Sequence, residues 1–471
     1  VPNQLTMYGV PTRGESLVKG EIGIYVQDRW TIDRWTINAG LRYDAFRGGY
    51  PEQYRGPVLY QPTRDFTFAA VTTMSMHDLT PRLGASYDLF GTGKTALKVS
   101  LGKYMLTLFT VGNPAGVSTT TQRNWNDLDR DFNPDCDLIN PAANGECSAY
   151  LSPFGTLTSI AQFDEDTRFG WGNRPYNWEF STSVQHELAP RLGIDVGYFR
   201  RWFGNFQVTQ ILGLNSADFD PYSVTAPVDS RLPDGGGYRI EGLYNLNPSK
   251  VGQGTAYTAL ARDFGDQTEQ WNGMDFSANA RLQNGLLLQG GVSTGRTVTD
   301  NCDVLSNSQG AVFGTGFNPV AAANPSLRAC HVEAAFLTQA KFLATYTLPR
   351  VDVNVAATVQ STPGPVIAAN RQYTNAEIIP SLGRPLSGGA ANTTINLLEP
   401  GDIYGDRINQ LDVRVGKIFR FGGRRASVNL DIYNMLNANP VMQENAAYAV
   451  WRTPQRIMDA RLFKISGQFD F

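Results

Sequence analysis

The sequence is poor in several features that common protein classes need. Charged residues make up 18% of its 471 residues, below the roughly 25% of an ordinary soluble domain. The formal net charge of −3 lacks the basic surplus that nucleic-acid binding requires. No stretch approaches the roughly 20 apolar residues of a transmembrane helix. These absences exclude a nucleic-acid-binding protein and a helical membrane protein.

Residues that carry catalysis or bind metals are also scarce. The three histidines, His77, His186 and His331, are widely scattered, and no GxSxG nucleophile motif occurs. The run FGTGKT at 90–95 contains the GKT of a phosphate-binding loop, but Asp88 stands where that motif needs glycine. Alternating segments flank the run, which favours a hairpin turn. We therefore predict no enzymatic activity, no catalytic residues, no metal site and no cofactor.

What the chain has in abundance is glycine, aromatic residues and period-two alternation. The 47 Gly, 25 Phe, 20 Tyr and 8 Trp exclude disorder. In 35–44, apolar side chains alternate with small, polar or charged ones, the pattern of a strand with two different faces. The alternation predicts about thirteen strands, near 21–31, 34–46, 79–89, 94–104, 176–188, 191–201, 269–282, 285–297, 335–348, 351–361, 407–420, 424–436 and 457–471.

The connections between these strands alternate in length. Tight turns such as Ile32-Asp33-Arg34 and Gly422-Gly423 join the strands in pairs, and segments of about 20 to 70 residues separate the pairs. Long loops are uncommon in compact soluble domains but typical of outer-membrane barrels, which have short periplasmic turns and long extracellular loops. The predicted fold is all-β, an antiparallel transmembrane β-barrel. A large soluble β protein, such as a lectin-like assembly, is the alternative.

In such a barrel the apolar face contacts lipid and the polar face lines the lumen. Strand parity predicts the lumen-facing residues Arg42, Arg82, Lys98, Glu179, Asp195, Asp275, Arg281, Asp352, Asp412 and Arg414. Aromatic residues near strand ends are expected to form interfacial girdles, namely Trp30, Trp35, Phe46, Phe90, Tyr198, Trp202, Phe203, Trp271, Phe419 and Phe421. Substrate-binding residues are not predicted from these patterns.

Four segments carry a resemblance to TonB-dependent outer-membrane receptors. GIYVQDRWTIDRWTINAGLRYD at 23–44 resembles a strand pair of their barrels, and ASVNLDIYNMLNANP at 426–440 resembles their penultimate strand. ARLFKISGQFDF at 460–471 resembles their terminal strand, which implies that Phe463, Ile465, Gly467, Phe469 and Phe471 form the signal for barrel assembly. VGYFRRWFGNFQVT at 196–209 is most similar to the Oar-like branch.

The resemblance implies a larger protein. Such receptors have a 22-stranded barrel, a plug in the lumen and a TonB box, and about thirteen strands leave the barrel incomplete. We therefore expect residues 1–471 to be the C-terminal portion of a receptor barrel.

The expected partners are outer-membrane lipid, the TonB complex through a plug segment, and a missing segment or second chain that completes the barrel. The expected function is energy-coupled uptake of a siderophore, oligosaccharide or peptide. The alternative is a structural barrel that anchors its loops to partner proteins.

Four cysteines form two local sets in predicted extracellular loops. The periplasm oxidises thiols, so we predict the disulfides Cys136–Cys147 and Cys302–Cys330. Metal ligation is the alternative, but no CxxC spacing occurs and only His331 lies near a cysteine.

The run NDLDRDFNPDCD at 126–137 is strongly acidic. Asp127, Asp129 and Asp131 match the opening of a calcium loop, but Phe132 and Leu138 replace its required glycine and closing glutamate. A solvated acidic loop is the favoured interpretation, and a bound cation is the alternative.

Overall fold

The computed structural model describes residues 3–108, 110–158, 162–282, 285–307 and 326–470. Thirteen long strands form one sheet in which each strand pairs antiparallel with the next along the chain. They are β1 (Leu17–Ile32), β2 (Trp35–Tyr50), β3 (Val71–Asp88), β4 (Thr95–Met105), β5 (Tyr176–Ala189), β6 (Leu192–Gly204), β7 (Thr268–Arg281), β8 (Leu287–Asp300), β9 (Leu337–Leu348), β10 (Val353–Thr362), β11 (Ile408–Phe421), β12 (Arg424–Tyr433) and β13 (Leu462–Asp470). The predicted all-β antiparallel architecture is confirmed.

Short and long connections lie at opposite ends of the sheet. Two-residue turns join β1 to β2, β5 to β6 and β11 to β12, and their residues Asp33, Arg191, Gly422 and Gly423 have positive φ. We call this end the turn end. The long connections at the opposite loop end are L1 (51–70), L2 (106–175), L3 (205–267), L4 (301–336), L5 (363–407) and L6 (434–461). Within the described residues β1 and β13 do not pair, so the sheet is open.

The strand register collects the apolar side chains on one side of the sheet, which we call the apolar face. Val355 of β10 stands beside Tyr346 of β9 and Val415 of β11. The same row continues through Leu430 of β12 to Ile465 of β13. Ile465 is 78% exposed, and similar rows run along the other strands. An exposed apolar surface of this extent requires a covering phase, since soluble monomers rarely expose contiguous apolar patches beyond a few hundred Å².

The loops contain short strands and helices of their own. Their strands are Gln4–Tyr8, Gln53–Arg55, Phe66–Phe68, Thr120–Asn124, Gln162–Phe163, Phe169–Trp171, Gln207–Leu212, Phe219–Thr225, Arg239–Leu246, Thr255–Leu260, His331–Glu333, Asn370–Thr374, Asn392–Asn396, Val441–Glu444 and Pro454–Ile457. The α-helices are Cys302–Asn307 and Asn375–Leu382, and one-turn 3-10 segments lie at Glu165–Thr167, Ser216–Asp218, Pro233–Gly235, Pro248–Lys250, Ala261–Asp263, Ser387–Gly389 and Tyr448–Val450. None of these helices is both long enough and apolar enough to cross a membrane.

The principal hydrophobic core of the described residues lies among the loops. Tyr222 and Leu243 of L3, Tyr373 and Ile378 of L5, and Trp451 of L6 are all buried in one cluster, which we call the loop cap. The Tyr373 hydroxyl donates to the Thr225 carbonyl (3.0 Å), and Trp451 Nε1 donates to the Ala368 carbonyl (2.9 Å). The Tyr373 hydrogen bond therefore joins residues of L5 and L3 that are 148 positions apart in sequence.

Two predicted strand bounds near the C-terminus are wrong. Strand β12 ends at Tyr433 because Asn434 and Asn437 have positive φ (47° and 51°), and Asn434 Nδ2 closes the turn by donating to the carbonyls of Ala438 and Asp459. Strand β13 begins at Leu462, since the preceding 454–457 instead pairs with 441–444 in L6. Phe471 of the assembly signal lies outside the described residues.

Candidate functional site on the polar face

The residues predicted to face the lumen share one side of the sheet, which we call the polar face. Arg42, Arg82, Lys98, Glu179, Asp195, Asp275, Arg281, Asp412 and Arg414 all alternate with the apolar rows. Asp352 does not belong to this set. It lies in the turn between β9 and β10 with φ 48°, a left-handed conformation that interrupts the strand, and its carboxylate contacts Arg420 at 3.4 Å. The prediction for Asp352 is therefore wrong.

Near the loop end, the polar face contains a cavity of about 620 Å³, which we call the wall cavity. It spans β3 to β8. Its charged lining residues are Arg82, Glu179, Arg201, Glu269 and Asp275. Its aromatic lining residues on the polar face are Tyr104, Phe199, Phe203 and Trp271. This volume falls within the roughly 300–1,000 Å³ of small-molecule sites, which combine aromatic walls with a few placed polar groups.

The aromatic rings of the wall cavity lie over glycines. An added Cβ on Gly273 would stand 2.2 Å from the Trp271 ring, and one on Gly295 would stand 2.4 Å from it. Phe199 covers Gly197 in the same way, since an added Cβ on Gly197 would stand 2.8 Å from the Phe199 ring. Because these strand positions lack side chains, the rings can lie flat along the wall instead of projecting from it. The glycine-rich sequence therefore creates the room that the cavity occupies.

The charges of the wall cavity are only partly paired within the described residues. Arg201 forms an ion pair with Glu179 at 2.5 Å. The Arg82 guanidinium lies 4.8 Å from the centre of the Tyr104 ring, which leaves its donors available. One carboxylate oxygen of Asp275 is buried and accepts no hydrogen bond from any described residue. The cavity thus offers an unsatisfied acceptor, a partly free cation and flat aromatic surfaces.

Sequence reasoning found part of this site. Arg82, Glu179 and Asp275 were predicted from strand parity, whereas Arg201 and Glu269 were not singled out. Trp271 and Phe203 were assigned to the membrane girdle, as was Phe46, but the register places all three on the polar face. That part of the girdle prediction is wrong. Parity with Asp275 is the signal that identifies Trp271 and Glu269, since each lies an even number of residues away.

The remaining sequence candidates stay apart from the cavity. Asp88 accepts hydrogen bonds from the amides of Gly91 (3.0 Å) and Gly93 (2.8 Å), so the GKT run forms a capped hairpin turn. His186 Nδ1 hydrogen-bonds to Thr95 Oγ1, and His331 Nδ1 to Asp300, so the histidines serve separate local contacts. The cysteines are joined as Cys136–Cys147 and Cys302–Cys330, both in loops.

Electrostatic contacts also join the long loops to one another. Hydrogen bonds from the Arg231 side chain and amide and from the Tyr448 hydroxyl hold the pKa of Asp229 well below its ordinary value. The Tyr448 contact joins L3 to L6. In the contact between L2 and L3, the Tyr257 hydroxyl donates to Asp164 at 2.6 Å, which raises the pKa of Tyr257 to about 12. These contacts persist at neutral pH because each favours the protonation state present there.

The match to a known family identifies which environment the apolar face of the sheet contacts. Residues 6–351 match the family described as outer membrane beta barrel domain. The chain belongs to this outer-membrane β-barrel family. Its apolar face is accordingly the lipid-facing side of the barrel wall in the outer membrane, and no described helix contributes a span.

Several solved structures are also similar to the barrel chain. The ferric-catecholate import receptor Fiu from Escherichia coli K12 is 13% identical, with 94% of this chain and 44% of that chain covered and a TM-score of 0.42. The outer membrane transporter YddB from E. coli is 11% identical, with 96% and 54% covered and a TM-score of 0.43. The siderophore receptor PiuA from Acinetobacter baumannii is 11% identical, with 95% and 42% covered and a TM-score of 0.40.

The chain spans about half the length of these solved proteins. At such identities and TM-scores the similarities do not decide its function. No curated protein sequence matches the chain.

Proposed function

We propose that this barrel belongs to a TonB-dependent receptor, in which it binds a large solute at the wall cavity and admits it across the outer membrane. The observation that carries the proposal is the wall cavity itself, with charges of both signs and flat aromatic rings on the polar face near the loop end. A wall that only separated lipid from the lumen would not need this concentration of binding groups. The resemblance of 23–44, 426–440 and 460–471 to TonB-dependent receptors supports the energy-coupled mode of transport.

The chemistry of the cavity favours a solute with both flat and hydrogen-bonding surfaces. The Arg82 guanidinium suits a carboxylate or catecholate oxygen, and the buried Asp275 oxygen accepts from a hydroxyl or amide donor. Trp271 and Phe199 offer rings against which a sugar or an aromatic group can stack. Siderophores, oligosaccharides and peptides all present these groups, and they are the substrate classes that we propose.

Further along the polar face, the charges suit a protein segment in the lumen. Lys98, Asp195, Asp412 and Arg414 do not line the wall cavity, and Arg414 pairs with Asp431. A plug filling the lumen would contact this surface over a wide area. We propose that the chain is the C-terminal portion of the receptor barrel and that such a plug couples it to TonB.

The proposal predicts that Arg82→Gln lowers solute uptake by at least about tenfold, since a hydrogen bond to a charged group contributes roughly 1.5–3 kcal/mol. Uptake is measured in cells that carry the full-length protein, with a panel of radiolabelled ferric chelates, maltodextrins and peptides. A protonophore should abolish uptake but leave surface binding in place.

Lys98→Gln is the matched control, since Lys98 has the same charge on the same strand face and lies outside the wall cavity. Its side chain contacts only Gln185 among the described hydrogen bonds. Equal uptake by both variants would show that the wall cavity does not bind the solute. Uptake that survives the protonophore would contradict energy coupling.

The loop cap favours a second candidate function, a barrel that displays its loops to partner proteins without transport. L3, L5 and L6 share one buried core, so together they form a folded surface domain. A folded cap can serve as a stable docking platform. If deleting 370–396 abolished binding of the cells to a surface partner and left uptake of every solute unchanged, this second function would be favoured.

A further inference from the structure

The acidic part of L2 is folded into two arms that lie side by side. The disulfide Cys136–Cys147 joins them, the Glu146 amide donates to the Asp135 carbonyl (3.1 Å), and the Asn126 amide donates to the Glu146 carbonyl (3.0 Å). Glu146 is therefore brought next to the acidic run 127–137. Between 125 and 147 the chain carries six acidic residues and one basic residue, Arg130.

Three carboxylates of this fold converge. Asp127, Asp129 and Glu146 each place one oxygen within 4.8 Å of the others. Two oxygens bound to the same calcium ion at about 2.4 Å lie no more than about 4.8 Å apart. The three oxygens thus already have the separations of ligands to one ion.

The Asp127 carboxylate is the decisive member of this group. Asp127 is only 5% exposed, and its Oδ1 has no hydrogen-bond partner among the described residues. Its other oxygen accepts from the Phe132 amide at 3.3 Å. A buried carboxylate oxygen without a donor is costly unless a cation or another donor compensates its charge.

The chemistry of the donors selects the class of cation. All three groups are carboxylates, the cysteines of the loop are oxidised, and the described residues place no histidine in the cluster. Oxygen-only sites favour hard divalent cations, and Ca²⁺ accepts the irregular geometry that a loop provides.

We propose that Asp127, Asp129 and Glu146 form a Ca²⁺ site in L2, with the remaining ligands supplied by carbonyls and water. Sequence reasoning kept a bound cation in this loop only as the alternative, because Leu138 occupies the position of the closing glutamate. The fold supplies that carboxylate from Glu146, in the second arm of the loop. The Glu146 carboxylate is held in place by the Leu128 amide (2.6 Å) and by Trp125 Nε1 (3.1 Å).

Trp125 provides a direct way to test the site. Its indole is buried and donates to the Glu146 carboxylate, so it lies close enough to transfer excitation energy to a bound Tb³⁺ ion. The experiment titrates the full-length protein in detergent micelles with TbCl₃ under tryptophan excitation, and then displaces the ion with CaCl₂. We expect saturable luminescence that Ca²⁺ reverses, and calcium-dependent protection of L2 from protease.

The exposed Asp129 allows a variant that keeps the loop folded. Asp129→Asn should weaken Tb³⁺ and Ca²⁺ binding by at least about tenfold, as the loss of a group at a metal site does. Asp131→Asn is the matched control, with the same charge change in the same loop outside the cluster, and should leave affinity within about twofold. Trp125→Phe removes the donor of excitation energy beside the site and should reduce the luminescence.

Two results would overturn the site. The first is the lack of any luminescence that millimolar Ca²⁺ displaces, together with unchanged proteolysis. The second is equal weakening by Asp129→Asn and Asp131→Asn, which would show that the ion is attracted by the net charge of the loop alone.

Discussion

Replacing Val359 by arginine is expected to destabilise the barrel by about 2–4 kcal/mol, the cost of a cation on the lipid face near the middle of a bilayer. Val359 lies near the middle of β10 on the apolar face and is 43% exposed. Its neighbours across the sheet are Phe342 and Leu411, so the arginine would find no carboxylate beside it. The free energy of unfolding is measured by urea titration in liposomes, with tryptophan fluorescence as the signal.

Thr358→Arg is the control for this prediction. Thr358 is the preceding residue, faces the other side of the sheet and stands beside Asp412 in the register. The new cation can therefore pair with a carboxylate in a hydrated environment, and we expect little change in stability. If both variants lost the same stability, the two faces of β10 would not differ in their surroundings.

Replacing Arg123 by methionine is expected to unfold L2 locally, with a loss of at least about 4 kcal/mol in the protection of its amides. Arg123 is completely buried in the described structure. Its guanidinium donates to the carbonyls of Ser148 (2.6 Å), Ala142 (2.7 Å), Asp137 (3.1 Å) and Asn140 (3.1 Å). Methionine fills the volume but satisfies none of these acceptors.

Hydrogen exchange followed by mass spectrometry measures this effect, since it separates L2 from the barrel strands. Peptides from 120–158 should exchange faster in Arg123→Met, whereas peptides from β9 to β12 should not change. Arg130→Met is the matched control, because Arg130 is exposed in the same loop. Unchanged exchange in L2 would show that the buried guanidinium does not hold the loop together.

The strands of the wall could be predicted from the sequence because the alternation of side chains that defines them is a local pattern. One face contacts lipid and the other contacts water, so alternation alone identified all thirteen strands and the polar positions Arg82, Glu179 and Asp275. The rule failed where backbone geometry changes. Asp352 has the sequence parity of the polar face but lies in a turn with a left-handed backbone conformation. Residues 454–457 pair with 441–444 inside L6 instead of extending β13.

The structure of the loops could not be predicted in this way because their contacts join residues that are far apart in the sequence. Tyr222 and Tyr373 are buried in the same cluster although they belong to different loops, and no periodicity in either segment encodes the other. The proposed Ca²⁺ site shows the same limit, since Glu146 joins Asp127 and Asp129 only after a disulfide folds the loop back. Distant pairings of this kind have no local pattern in one sequence.

The measurement that tests the barrel wall most directly is a spin-label scan of 353–362 in the full-length protein in liposomes. Single labels introduced along β10 are compared for collision with oxygen, which concentrates in lipid, and with a water-soluble nickel complex. Labels at Val353, Val355, Ala357 and Val359 should collide with oxygen, and those at the intervening positions should not. Accessibility without a period of two, or oxygen collisions at the intervening positions, would contradict the assignment of the two faces.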